Sequence, residues 1–132
     1  MLDGMKIAVL LIAHGSRHNE ANADLHFCVE EMRRRGDFQL VEAAFLELAR
    51  PTIEEGGASC VDQGADCVIL LPYFLSDGVH VRRDLTDLRA RLAAQYTGVD
   101  FVLGEPLGRH PLLLEVLSER ARQAENEVKS QK

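Results

Sequence analysis

The stretch Lys6-Ile-Ala-Val-Leu-Leu-Ile-Ala13, followed at once by His14-Gly15-Ser16-Arg17-His18, decides the fold. Ile7 to Ala13 are seven consecutive apolar residues, far short of the roughly 20 that a membrane helix needs. A run of that length with no polar alternation fits a central strand of a parallel sheet covered by helices on both faces. The turn after it gathers an imidazole, a glycine, a hydroxyl and a guanidinium. In open parallel sheets ligands bind beyond the carboxyl ends of the strands, so His14 stands where chemistry is expected.

The rest of the chain repeats this pattern. Phe38 to Leu46 reads as a second strand, ending in Glu47-Leu-Ala-Arg50-Pro51. Cys67 to Phe74 reads as a third, apolar on both faces, with Pro72 near its end because proline cannot donate to an interior ladder. A second polar turn follows, Ser76-Asp77-Gly78-Val79-His80, with Arg82, Arg83 and Asp84 just beyond. Val99 to Leu103 forms a short fourth strand.

Helices fill the gaps. One is expected from an N-cap at Asn19 to Arg35, with Leu25, Cys28, Val29 and Met32 inward and Gly36 closing it. Its terminal Arg33-Arg34-Arg35 reads as a solvated end that suits the helix dipole. A second helix spans Ile53 to Gln63 with Pro51 in its first turn. Gly56-Gly57 lies inside it, at a cost of about 1 kcal/mol per glycine relative to alanine. A third places Val81, Leu85, Leu88 and Leu92 on one face, and a fourth opens at Pro111 with Leu113, Val116 and Leu117 inward.

Four strand-helix units predict a flavodoxin-like α/β three-layer sandwich around a four-stranded parallel sheet. Residues 1–125 form its single domain and 126–132 a polar, frayed tail. In the order 2-1-3-4 the first and third strands are neighbours, and His14 and His80 leave them at one edge, facing one cleft.

Composition narrows the function. The net charge of −6 argues against nucleic acid, which wants a basic footprint. The amino terminus lacks a signal-peptide pattern, and a cytosolic protein is expected. Cys28, Cys60 and Cys67 have no C-x-x-C spacing and read as small hydrophobes in a reducing compartment. Phosphate-loop, dinucleotide and nucleophile-elbow motifs are missing.

His14 and His80 could share a divalent metal or accept protons. Ser16 and the backbone N–H groups after Gly15 open a helix that suits an anion. Arg17, Arg50, Arg82 and Arg83 could hold carboxylates at the same rim, or could be solvated charge. Glu47 and Asp84 could orient an imidazole or pair with an arginine. His18, His26 and His110 read as peripheral, the last as a surface or capping residue.

Taken together, Leu-Leu-Ile-Ala-His14-Gly15-Ser16-Arg17 with Asn22, Ala44-Phe-Leu-Glu47 with Pro51, and Leu-Pro72-Tyr-Phe-Leu75 with Gly78-x-His80-x-x-x-Asp84 resemble the short sirohydrochlorin chelatases of the CbiX/SirB type, from about Lys6 to Glu119. The resemblance implies a class II chelatase fold and a lyase that inserts Co²⁺, Fe²⁺ or Ni²⁺ into sirohydrochlorin for cobalamin or siroheme biosynthesis. It matches His14 and His80 to the metal-holding, proton-accepting histidines and Glu47 to an assisting acid. The metal is then a substrate, with no permanently bound cofactor, and a half-length chain is expected to form a homodimer. A metal or tetrapyrrole carrier without catalysis is the alternative. A phosphoryl-transfer enzyme ranks last, because Ala13 stands where an arginine is usually sought.

Overall fold

The computed structural model describes residues 4–131. Its elements are β1 (Ile7–Ala13), α1 (Asn19–Arg35), β2 (Leu40–Phe45), α2 (Ile53–Asp62), β3 (Cys67–Pro72), α3 (Val79–Gln95), β4 (Asp100–Leu103) and α4 (Pro111–Ser130). The strands are all parallel, in the expected order β2-β1-β3-β4. β1 is apolar throughout because both of its faces are covered, and Ala8 to Ile12 are all buried. Ala8, Leu10 and Ile12 pack with Ile53 and Cys60 of α2 and with Leu85, Leu88 and Leu92 of α3. Val9 and Leu11 pack with Leu25 and Val29 of α1.

Several details depart from the sequence-based expectations. The strands are shorter at their ends: β2 loses Phe38, Gln39 and Leu46, and β3 stops at Pro72. The N-cap of α1 is His18 rather than Asn19, and its side chain makes no capping bond. Pro51 lies before α2, not in its first turn; the cap is Thr52, in a capping box with Glu55.

The Gly56-Gly57 pair, expected only to weaken α2, has a packing role. A Cβ on Gly56 would stand 2.7 Å from Leu10 Cδ1 and 3.2 Å from Ala44 Cβ, and one on Gly57 would stand 3.1 Å from Leu92 Cδ2. The helix therefore lies close on β1 and against α3 because these two positions carry no side chain.

The largest departure concerns α4. Leu113, Val116 and Leu117 were expected to face inward, yet α4 has no buried residue. Val116 is 48% and Leu117 65% exposed. α4 also continues to Ser130, past the expected fraying at Asn126, with a Glu125–Lys129 pair one turn apart on its surface. Residues 1–3 and 132, at the limits of the expected domain and tail, lie outside the described residues.

Candidate active site

The two crossovers that carry His14 and His80 leave neighbouring strands at the same edge of the sheet. They are built differently. Beyond β1, the strand pairing continues into the turn: Leu46 N–H donates to the Ala13 carbonyl (3.0 Å) and Glu47 N–H to the His14 carbonyl (3.0 Å). Backbone bonding thus sets His14 beside Glu47. Gly15 follows at φ 97, and a Cβ there would stand 1.8 Å from the Glu47 carbonyl oxygen. Glycine is required on both counts.

Asn22, on the first turns of α1, closes this turn from the other side. Its Oδ1 accepts from Ser16 N–H (2.9 Å) and its Nδ2 donates to the Ser16 carbonyl (2.8 Å). Ser16 Oγ accepts from His18 N–H (3.1 Å). The His14 ring stacks on Phe74, with centroids 4.4 Å apart and planes at 27°. Face-on stacking fixes the ring plane and leaves the in-plane nitrogens at the exposed edge.

The second crossover is looser. Tyr73 N–H donates to the Ile12 carbonyl (2.6 Å), holding the start of the loop against β1. His80 then appears in the first turn of α3, exposed, after a Gly78 N-cap without a side-chain bond. Among the described residues no ring contact or hydrogen bond joins His80 to His14 or Glu47, and no three His, Cys, Asp or Glu side chains gather into a group that could hold a metal. His14, Asp24 and Tyr73 border a cavity of about 270 Å³ on the α1 side. Pairing with the Cys28 thiol, burial and the charge of Asp24 push the Tyr73 phenol up to about 12. Burial, aided by the charge of Glu42, likewise pushes the Cys60 thiol up to about 12, which suits a small hydrophobe.

The arginines separate into two kinds. Arg50 is held by Glu55 (Nε–Oε1 3.1 Å), and Arg82 by Asp77 (3.2 Å) and Glu105 (3.4 Å). Arg17 and Arg83 are exposed and form no ion pair among the described residues. Arg17, Arg50, Ser16, Asn22, His26 and Leu48 line a cavity of about 290 Å³ between the start of α1 and the loop after β2. Asp84 is exposed in α3.

Sequence reasoning missed three residues here. Asn22 was noted without its clamping role, Phe74 was counted as a strand residue, and His26 was set aside although it lines the Arg17 cavity, edge-on to Phe45 at 5.7 Å. The signal for His26 was its place four residues after Asn22, on the same helix face. His110 does cap α4: its Nδ1 accepts from Leu112 N–H (3.1 Å).

A parallel sheet of order 2-1-3-4 thus carries a histidine on each crossover that leaves its two central strands. The chain belongs to the CbiX family, whose model matches residues 8–124. It is 37% identical over 112 residues to the chloroplastic sirohydrochlorin ferrochelatase of Arabidopsis thaliana, covering 85% of this chain and 50% of that protein. It is 31% identical over 138 residues to the sirohydrochlorin cobaltochelatase of Methanopyrus kandleri, covering 89% and 96% respectively. The structure of SirB from Bacillus subtilis with Fe³⁺ is similar at a TM-score of 0.82 and 31% identity, covering 91% of this chain and 48% of that one. The chain thus spans about half the length of two of these relatives and nearly all of the third.

Proposed function

We propose that this chain is a sirohydrochlorin chelatase, a lyase that inserts a divalent metal ion, Co²⁺, Fe²⁺ or Ni²⁺, into the tetrapyrrole for cobalamin or siroheme biosynthesis. The observation that carries the proposal is the pair of crossovers at one sheet edge, one bearing His14 beside Glu47 and the other bearing His80. Names of similar proteins agree with it: the ferrochelatase and cobaltochelatase above, and SirB structures with Fe³⁺ and with cobalt.

Insertion requires the metal to shed water and the macrocycle to lose two pyrrole protons. Neutral imidazoles serve both needs, as ligands for the incoming ion and as bases for the departing protons. His14 is held in plane by Phe74 and offers its edge nitrogens without a search over rotamers. His80 is the second ligand and base, and Glu47 helps deliver the ion or take a proton. The metal is substrate, and the enzyme holds no resident cofactor.

Ser16, Arg17, Arg50, Arg82 and Arg83 grip the carboxylates of the macrocycle. Arg17 and Arg83 contribute most to binding, because Arg50 and Arg82 must first loosen their hold on Glu55, Asp77 and Glu105. We infer that the protein works in the cytoplasm as a homodimer. Separately, no described helix is long and apolar enough to cross a membrane.

The test is anaerobic insertion of Co²⁺, Fe²⁺ and Ni²⁺ into sirohydrochlorin, followed by absorbance. Wild type is expected to accelerate at least one metal, with the acceleration lost in His14→Ala and in His80→Ala. Arg17→Ala is expected to raise KM more than Arg82→Ala does. Tight binding without acceleration would instead identify a carrier.

A further inference from the structure

The loop after β4 lies at the same carboxyl edge of the sheet as the two histidine crossovers, and its backbone is pinned on both sides of Glu105. Before it, Gly104 N–H donates to the Leu70 carbonyl (2.8 Å). After it, Leu107 and Gly108 N–H donate to the carbonyls of Phe74 (3.0 Å) and Leu75 (2.7 Å). These bonds fix Glu105 beside the segment that leads from β3 to His80. Its side chain is 81% exposed, and its Oε2 stands 3.4 Å from Arg82 Nη1.

Arg82 already has a counter-charge without it. The same Nη1 donates to Asp77 Oδ2 (3.2 Å), and the Asp77 side chain is only 13% exposed. Asp77 precedes the Gly78 N-cap, so the guanidinium reaches back past the start of α3 to the ligand edge, the direction in which helical side chains lean. Asp77 neutralises the guanidinium from a sheltered position, and Glu105 leaves the trio net negative. The Glu105 contact is long and solvated, the kind of ion pair that contributes little to stability. A carboxylate that adds little to the fold is thus held by a pinned backbone over an arginine at the ligand edge.

We propose that Glu105 is a placeholder for a substrate carboxylate. In the free protein it occupies Arg82, and on binding a carboxylate arm of the tetrapyrrole displaces it while Asp77 stays in place. The inference rests on the chelatase reading, which supplies the polycarboxylate ligand. The exchange is like for like: one carboxylate leaves the guanidinium as another arrives, and the charge around Arg82 is unchanged. An arm without a carboxylate cannot displace Glu105, so the contact selects for an ionised arm at this position. Glu105 weakens binding of the right ligand slightly and denies Arg82 to the wrong one.

Equilibrium binding of metal-free sirohydrochlorin, followed by its fluorescence without oxygen, tests the exchange in wild type, Glu105→Gln, Arg82→Ala and the double variant. Glu105→Gln keeps the size of an exposed side chain and removes its charge, so the fold should be unaffected. It is expected to lower Kd about threefold, the scale of an exposed ion pair. In the Arg82→Ala background the same substitution should change Kd by less than about 1.5-fold, because no guanidinium remains to be contested. Equal tightening in both backgrounds overturns the inference, since Glu105 would then act only by general repulsion of an anionic ligand. An unchanged or weaker Kd in Glu105→Gln overturns it as well. Either result leaves the chelatase reading to the insertion assay, whereas a wild type that binds no sirohydrochlorin overturns both.

Discussion

The crossover after β1 and the crossover after β3 perform the same topological task with opposite construction. Each leaves a central strand at the carboxyl edge, turns through a glycine and enters a helix of 17 residues. In the first, Gly15 is pressed on the Glu47 carbonyl, Asn22 clamps Ser16 and the His14 ring lies on Phe74. In the second, a Cβ on Gly78 would meet nothing within 4 Å, and His80 stands in the open. One imidazole is positioned before any ligand arrives, and the other is free to follow one. Under the proposed function, in which both imidazoles hold the metal, that division suits an ion that must be captured and then handed on, because a fully rigid pair would hold it too well.

The strongest way to break this comparison is to add one side chain to each glycine. Gly15→Ala forces a left-handed φ on a residue whose Cβ must also displace a carbonyl, and is expected to cost roughly 3 kcal/mol or more. Gly78→Ser meets open space at φ −67, and as an N-cap should change stability by no more than about 0.5 kcal/mol in either direction. Urea unfolding of the two variants decides the matter. Equal losses would mean that the second crossover is as constrained as the first.

Asn22→Ala sharpens the same contrast at smaller cost. It strips two half-buried backbone groups of Ser16 of their partner, for about 1–2 kcal/mol. With the turn loosened, kcat for metal insertion should fall about tenfold, close to the energy lost. KM for the tetrapyrrole should rise by a smaller factor, since the turn also carries Ser16 but Asn22 itself does not grip the macrocycle. Asn22→Asp keeps the acceptor for Ser16 N–H and should lie between the two. A rise in KM with unchanged kcat would show that Asn22 serves binding instead.

Much of this arrangement was legible in the residues. Seven apolar residues ending in His14 describe a strand buried on both sides, and Pro72 marks a strand end because of its missing N–H. The repeat of units gave a parallel sheet, and the flavodoxin-like order 2-1-3-4 expected for it is the one observed. What stayed hidden depended on a second surface. Gly56-Gly57 reads as helix-weakening until Leu10, Ala44 and Leu92 are seen to occupy the space of the absent side chains. The apolar face of α4 is plain in the periodicity, but periodicity cannot say what covers it, and here the chain's own sheet does not. The clamp by Asn22 lies six residues from Ser16 and needs the turn geometry before its two bonds can be seen.

The last contrast lies one element further out, where the loop that carries Glu47 is pinned to α2. Thr52 Oγ1 accepts from Glu55 N–H (3.1 Å), and Glu55 Oε1 accepts from Thr52 N–H (2.8 Å) and from Arg50. Thr52→Ala should cost about 1 kcal/mol, by loss of the cap. The hydrogen bond from Arg50, followed by that from Thr52 N–H, holds the Glu55 carboxyl at about 2, below the roughly 4.3 of an unfolded chain. Its contribution is therefore complete above about pH 4.3 and disappears as pH falls through about 2. Urea unfolding at a series of pH values should show wild type and Glu55→Gln converging between pH 5 and 2, and parallel curves over that range would mean that the pair contributes nothing. If the first crossover is a self-contained unit, Thr52→Ala should leave insertion within threefold of wild type, because Gly15 meets the loop at Glu47, five residues before the cap. A larger loss would extend the rigid half of the site from β1 through the whole β2–α2 loop, and the contrast with the open His80 side would widen accordingly.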